Sequence, residues 1–159
     1  RWEGPNLVGK PFDFKVVHIL EVLDELREQG RLKISGKEMQ RLTYHDPCQI
    51  GRRGGVLEQP RRLLDMVADN FVEMPDSGSM NWCCGAGGGV SSNERADDLR
   101  LKVFNRKKAQ LDAVQADGLV SACSNCRIHL EEGLEEYHMD LPVLSLTETI
   151  AEHLAEDKS

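Results

Sequence analysis

The chain has 159 residues, of which 40% are hydrophobic and 30% charged, a composition typical of one soluble globular domain and not of a disordered chain. Its formal net charge of −7 at pH 7, without any basic block, argues against binding to nucleic acid or to an anionic membrane surface. No apolar run approaches the roughly 20 residues that cross a bilayer, so we expect no direct membrane span.

The first 30 residues are predicted to be the tail of a preceding repeat or a linker. The chain starts at Arg1 and not at a methionine, which suggests a piece of a longer polypeptide. Residues 15–25 also align with residues 142–152, and both stretches have the pattern of a short apolar strand followed by an amphipathic helix. Any two such segments can resemble each other over so short a length. We favour a tandem duplication, with residues 31–159 as one cysteine-rich domain.

After this segment, predicted strands and helices alternate along the chain. Strands are predicted at residues 41–45, 71–74, 119–122 and 141–145, and helices at residues 60–68, 91–116, 127–137 and 147–154. Pro47 and Pro75 end the first two strands, and Ser91 or Ser92 begins the longest helix. This order predicts an α/β fold with a mostly parallel, Rossmann-like sheet that is flanked by helices.

Five cysteines follow these predicted strands. Cys48 comes after the first strand, Cys83 and Cys84 lie in the connection after the second, and Cys123 comes after the third, with Cys126 one helical turn later. Because the carboxyl ends of parallel strands lie at one edge of a sheet, we expect the five thiols to converge there. An odd count with an adjacent pair is a poor disulfide framework, and no secretory signal is visible. We therefore expect a cytoplasmic protein with a metal or iron–sulfur site.

The number and spacing of the thiols leave more than one occupant open. Structural zinc needs four thiolates and would leave one unused, and an ordinary cubane cluster also takes four. An adjacent pair with three further thiolates suits an iron–sulfur cluster of uncommon shape. The glycine run that contains Gly85 and Gly87 would let backbone N–H groups approach such a cluster, although it could also be a flexible loop.

Three stretches carry a resemblance to a known family: residues 44–55, 82–89 and 123–126. They resemble the cysteine-rich CCG domain found in the catalytic subunit of heterodisulfide reductase and in related respiratory iron–sulfur oxidoreductases. The resemblance covers about residues 14–154 and suggests a C-terminal repeat. The resemblance implies that the domain binds a noncubane [4Fe–4S] cluster. By the same resemblance, the ligands of this cluster would be five cysteines: Cys48, Cys83, Cys84, Cys123 and Cys126. One complete repeat is present, and no ferredoxin motif occurs in the sequence.

The same resemblance implies a function in anaerobic electron transport. The chain would be a fragment of an iron–sulfur oxidoreductase subunit that reduces a disulfide or related sulfur substrate, with other subunits of a redox complex as partners. The fragment alone is expected to be inactive. Two alternatives stay open at this point: a non-catalytic electron-relay module of a quinone-linked complex, and a structural zinc-binding domain.

Several residues beside the cysteines are candidates for catalysis. His45 could position a substrate sulfur or donate a proton, or it could hydrogen-bond the turn before Pro47. Arg52 and Arg53 could pair with an anionic cluster or an acidic substrate, or belong to a solvated loop. Trp82 is expected to shield the cluster from water, and His129 to lie on the surface of a helix.

Overall fold

The computed structural model describes residues 13–155, which form a four-stranded sheet with helices on both faces. The helices are α1 (Ile19–Glu28), α2 (Glu58–Val67), α3 (Asp97–Val114), α4 (Ser124–Glu136) and α5 (Leu146–Glu152), and the strands are β1 (Glu38–His45), β2 (Ala68–Val72), β3 (Gly118–Ser121) and β4 (Val143–Ser145). The remaining residues of the sequence lie outside this description. None of the helices described combines the length and the apolar character needed to cross a membrane.

The strands are all parallel and lie in the order β2-β1-β3-β4. In the centre of the sheet, Leu42 of β1 is paired with Phe71 on one side and with Gly118 on the other. The predicted α/β fold with a parallel sheet flanked by helices is therefore confirmed. After β1 the chain turns towards one edge of the sheet, and after β3 it turns towards the other. The carboxyl ends of β1 and β3 thus border the switch point at which open α/β sheets bind ligands.

Two hydrophobic cores cover the two faces of the sheet. Side chains alternate along the strands, so Tyr44 and Val120 contribute to the core beneath α1, α2 and α5, whereas Leu119 contributes to the core beneath α3 and α4. The second core also contains two of the five cysteines, Cys84 and Cys126. Cys84 and Cys126 are therefore part of the packed interior on this face of the sheet.

The predicted strand before the first helix is wrong. Residues 15–18 have no strand pairing, and Val16 and Val17 are exposed. A strand requires a neighbouring strand for its hydrogen bonds, and the described part of the chain offers none at this position. Helix α1 begins instead at a capping box, in which the His18 side chain accepts a hydrogen bond from Leu20 N and Glu21 accepts one from His18 N.

Helix α1 packs on the same core as the rest of the domain. Leu20 belongs to the first core, and Arg62 of α2 donates hydrogen bonds to both carboxylate oxygens of Asp24. Leu32 contributes to the same core, beyond the predicted boundary at residue 30. The assignment of residues 1–30 to a preceding repeat stays a prediction.

Several element boundaries differ from those predicted, and two of them affect the connection that carries the adjacent cysteines. Helix α3 begins at Asp97 and not at Ser91 or Ser92, because short 3₁₀ turns at Val90–Ser92 and Glu94–Ala96 occupy the intervening residues. Strand β2 begins at Ala68, directly after α2 ends at Val67, so the strand lies earlier in the chain than predicted. The longer connection from β2 to α3 is where the adjacent cysteines lie.

Candidate metal centre

Four of the cysteines lie in connections that follow strands of the sheet, and the fifth, Cys126, lies in the first turn of a helix. Cys48 follows β1 and begins a short π-helical turn, Gln49–Arg53. Cys83 and Cys84 lie in the connection from β2 to α3, and Cys123 is the N-cap residue of α4, inside which Cys126 lies. All five thiols are free. The structure thus brings together the cysteines that the strand order predicted to converge.

Two of the thiols form the buried centre of this group. The sulfur atoms of Cys84 and Cys126 are 3.3 Å apart, and these residues are 3% and 5% exposed. Cys48, Cys83 and Cys123 are half-buried around them. The site therefore has a buried inner side and a more exposed outer side.

The thiols perturb one another's protonation. Hydrogen bonding with Cys126 has the largest effect on Cys84 and lowers its pKa, and hydrogen bonding with Cys83 acts in the same direction. The hydrogen bond to Cys84 and burial both raise the pKa of Cys83. Hydrogen bonding from Cys126 and from backbone N–H groups at the start of α4 lowers the pKa of Cys123 to about 6. Cys48 acts on the pKa of Cys83 through its charge. Each of the five thiols thus influences, or is influenced by, the protonation of a neighbouring thiol.

Gly85 allows the chain to pass close to this centre. Its φ of +97° is rare for other residues, and an added Cβ would lie 3.1 Å from Val103 Cγ1 and 3.2 Å from His129 Nε2. Its backbone N–H donates to Cys83 Sγ over 3.4 Å. This contact provides the kind of backbone donor expected near a metal–thiolate group. Gly87, by contrast, is exposed with open space around it, and its predicted role stays a prediction.

His45 is the candidate catalytic residue closest to the thiols. One of its ring nitrogens and the sulfurs of Cys84 and Cys126 all lie within 4.8 Å of one another. The ring is fully buried, and neither ring nitrogen has an ordinary hydrogen-bond partner among the described residues. Burial lowers its pKa, opposed by Cys84, so the ring is neutral near pH 7. The His45 ring does not hydrogen-bond the turn before Pro47, and one of its nitrogens lies near the sulfurs of Cys84 and Cys126.

A buried carboxylate organises the backbone next to Cys48. Asp46 accepts two hydrogen bonds from Arg61, at 2.5 and 2.8 Å, and a third from Gly78 N at 2.7 Å. Arg61 also binds Glu73 and lies 5.5 Å above the Tyr44 ring. Because Gly78 precedes the adjacent cysteines, Asp46 connects the end of β1 to the segment that carries them.

The two neighbouring arginines have different environments. Arg52 donates to Ser79 O at 3.0 Å and to the backbone oxygen and side-chain oxygen of Asn81, while the Asn81 amide donates to the backbone oxygen of Asp46. Arg53 is exposed and contacts Gln49 at 3.3 Å. Arg52 therefore joins the Cys48 turn to the approach of Cys83, whereas Arg53 keeps its guanidinium available to solvent or ligand.

This difference predicts unequal effects of matched substitutions. We expect R52Q to lower the free energy of unfolding by about 1–3 kcal/mol, because it leaves carbonyl oxygens at Ser79 and Asn81 without a charged donor. R53Q removes the same charge and should stay within about 0.5 kcal/mol of wild type. Urea unfolding of both variants checks this expectation, and equal losses would show that Arg52 does not join the two loops.

The structure also reveals polar residues near the centre that sequence reasoning missed. The prediction that His129 lies on the surface is wrong, because it is 1% exposed and its Nδ1 is 3.2 Å from Glu132 Oε2. Its spacing from Cys126 and Gly133 places it on the buried face of α4, a helical pattern that could have indicated this. Trp82 is partly exposed, and Arg106 lies 4.4 Å above its ring. Its role as a shield stays a prediction.

The fold and the site together define a class of protein: a parallel α/β domain that gathers thiols from three connections at the carboxyl edge of its sheet. Within this class, the chain belongs to the CCG cysteine-rich domain family, whose model matches residues 42–131. The matched stretch contains all five cysteines and runs from within β1 into α4. The resemblance seen in the sequence is therefore confirmed.

The chain is also similar to components of larger redox enzymes. A subunit of the dihydromethanophenazine:CoB–CoM heterodisulfide reductase of Methanosarcina mazei is 37% identical over 153 residues, which are 96% of this chain and 37% of that subunit. The corresponding subunit from Methanosarcina acetivorans is 39% identical over 154 residues, with the same two shares. The Hdr-like menaquinol oxidoreductase iron–sulfur subunit 2 of Archaeoglobus fulgidus is 31% identical over 163 residues, 89% of this chain and 29% of that subunit. The chain thus spans well under half the length of these relatives.

Proposed function

We propose that this chain is an iron–sulfur redox module of the heterodisulfide reductase type. It binds a noncubane [4Fe–4S] cluster through Cys48, Cys83, Cys84, Cys123 and Cys126, and it takes part in the reduction of a disulfide or related sulfur substrate. The observation that carries the proposal is the convergence of five free thiols from three connections, centred on the 3.3 Å approach of two buried sulfurs.

The residues around the thiols fit a cluster. Gly85 leaves space that any side chain would fill and directs a backbone N–H towards Cys83 Sγ. The buried ring nitrogens of His45 have no hydrogen-bond partner among the described residues, and one of them lies near the sulfurs of Cys84 and Cys126. A bound cluster would supply one-electron transfer, and neutral donors beside its sulfurs stabilise the more negative, reduced state.

The protein residues then have distinct tasks in substrate reduction. A disulfide that accepts two electrons and two protons gives two thiols, so the site must deliver protons as well as electrons. His45 is placed to hold a proton near the buried sulfurs. The exposed guanidinium of Arg53 donates one hydrogen bond to Gln49 Oε1 and keeps further N–H groups that can bind an acidic substrate. Arg52 instead orients the Cys48 turn through its hydrogen bonds to Ser79 and Asn81.

The electrons come from other parts of a redox complex. The similar heterodisulfide reductase subunits and the menaquinol oxidoreductase subunit are named as parts of such enzymes, which supports a module that docks to partner domains or subunits. We place it in the cytoplasm, with any membrane attachment provided by partners. Without them, the module is expected to hold a cluster but not to turn over substrate.

Metal and sulfide content test the proposal directly. Protein purified without oxygen should contain about four irons and acid-labile sulfide per chain. Electron paramagnetic resonance of the oxidised sample should give a signal that shifts when a thiol is added. A cluster signal that no thiol or disulfide alters would instead favour the relay module.

The zinc alternative predicts a different composition. His45, Cys84 and Cys126 could coordinate a single ion, since their ligand atoms lie within 4.8 Å of one another. Stoichiometric zinc without sulfide, persisting after iron–sulfur reconstitution, would overturn the redox proposal and leave a structural zinc domain.

A further inference from the structure

Helix α3 places a lysine in the hydrophobic core next to the thiol centre. Its buried face consists of five positions at helical spacing: Phe104, Lys107, Gln110, Leu111 and Val114. Lys107 is 1% exposed and belongs to the largest fully buried side chains. This face packs against the core that contains Cys84 and Cys126. A cation therefore occupies a position where the helical pattern calls for an apolar residue.

The direct contact of this lysine does not neutralise its charge. Lys107 Nζ donates to Gln110 Oε1 at 2.6 Å, and the Gln110 amide donates to Pro75 O at 2.6 Å. Among the described residues, no carboxylate lies within ion-pair distance of Lys107 Nζ. The next residue differs, because Lys108 Nζ is 2.6 Å from Asp112 Oδ2. A buried ammonium with a neutral partner is costly unless an anion compensates it at longer range.

The anions that act on Lys107 are two carboxylates and two thiols of the candidate centre. Burial lowers its pKa to about 8, and Asp46, Cys84, Cys83 and Asp76 oppose this effect. Lys107 thus remains mostly protonated at neutral pH.

Both of these carboxylates already have a cationic partner. Asp46 forms a two-point contact with Arg61, and Asp76 contacts Arg106 at 3.1 Å. Asp76 also accepts a hydrogen bond from Gln110 Nε2 at 3.1 Å. Cys84 and Cys83 are the anions acting on Lys107 that have no such cationic partner among the described residues.

We propose that Lys107 is the buried counter-charge of the metal–thiolate centre, which stabilises its bound and its reduced forms. This inference rests on the proposed function, in that a metal–thiolate group must occupy the site. An added electron makes such a group more negative, so a fixed cation nearby favours reduction. Lys107 acts through its electric field and coordinates no metal.

Three variants separate charge from packing. K107M removes the charge at similar length, K107R keeps the charge, and K108M removes the same charge one residue away. With the complete chain loaded anaerobically, a redox titration followed by electron paramagnetic resonance should give K107M a more negative midpoint potential than wild type. K107R and K108M should remain close to wild type. Equal midpoints for K107M and K108M would overturn the proposal.

Thermal unfolding of the metal-free chain provides a second readout. Without a cluster, the buried charge lacks part of its compensation, so K107M should raise the melting temperature of the metal-free protein by about 2–4 °C. The loaded K107M protein should release its metal faster than loaded wild type when a chelator is added. A K107M variant that is destabilised to the same extent in both forms would show a packing role and overturn the inference.

The two readouts also distinguish this inference from the proposed function. If the protein binds zinc and not iron, the redox proposal fails, but faster zinc loss from K107M than from K108M still supports the counter-charge. If K107M fails to load metal while K107R loads normally, metal loading requires the positive charge at this position, as the inference states. If both fail to load, the requirement is for the lysine side chain itself, and the counter-charge inference is wrong.

Discussion

Substitution of Cys84 by alanine is expected to abolish iron–sulfur loading. Its sulfur lies 3.3 Å from that of Cys126, and hydrogen bonding with Cys126 and Cys83 lowers its pKa, which favours the thiolate form that binds metal. It is also buried in the second core, away from bulk solvent. Iron and sulfide content after anaerobic reconstitution should fall to background.

A matched control lies in the same connection. Ser91 is exposed in the Val90–Ser92 turn, so S91A should load iron as wild type does. Removal of the half-buried Cys48 should have a smaller effect, because the buried pair remains and the outer sulfurs can still bind part of the metal. Wild-type iron content in C84A would contradict a centre built on Cys84 and Cys126.

Substitution of Gly133 by alanine should have the largest effect on stability. An added Cβ would lie 2.3, 2.4 and 2.6 Å from three ring atoms of Phe104. That ring is fully buried and stacks on Tyr137, with centroids 5.8 Å apart, so it has no space into which to move. Alanine gains about 1 kcal/mol in helix propensity, but overpacking at such distances costs more. We expect a net loss of about 2–4 kcal/mol in the free energy of unfolding.

The glycine loop provides the control for this effect. Gly87 has an ordinary negative φ and open space around its Cα, so G87A should stay within about 0.5 kcal/mol of wild type. Chemical denaturation of metal-free protein measures both variants without interference from the cluster. A G133A variant as stable as wild type would mean that α3 and α4 can separate without cost, and that the packing between these helices is not a determinant of stability.

The site itself was largely predictable from the sequence. Alternating strands and helices imply a parallel sheet, and a parallel sheet brings the ends of its strands to one edge. Cys48, Cys83, Cys84, Cys123 and Cys126 could therefore be placed together without any structural information. Which of their sulfurs are buried could not be predicted, because that depends on how α3 and α4 pack over the sheet.

The polar residues around the site were harder to predict. Lys107 and His129 have side chains that are usually exposed, and local sequence gives no sign that an adjacent helix covers them. Their burial follows from the contact between α3 and α4, which Gly133 permits. The strand predicted at residues 15–18 failed for a related reason, since pairing depends on a neighbour that the local pattern cannot supply. Tertiary contacts decided each of these outcomes.

The origin of the ligands in three separate connections affects how the protein unfolds. A bound cluster would act as a branched cross-link between the end of β1, the β2–α3 connection and the start of α4, and it would restrict the unfolded chain as disulfides do. Global unfolding of the loaded protein would then have to wait for iron–sulfur bonds to break. The rate of cluster release would then set the lifetime of the native state. Oxygen and chelators, which remove the cluster, would therefore speed unfolding of the loaded protein even at temperatures below its melting temperature.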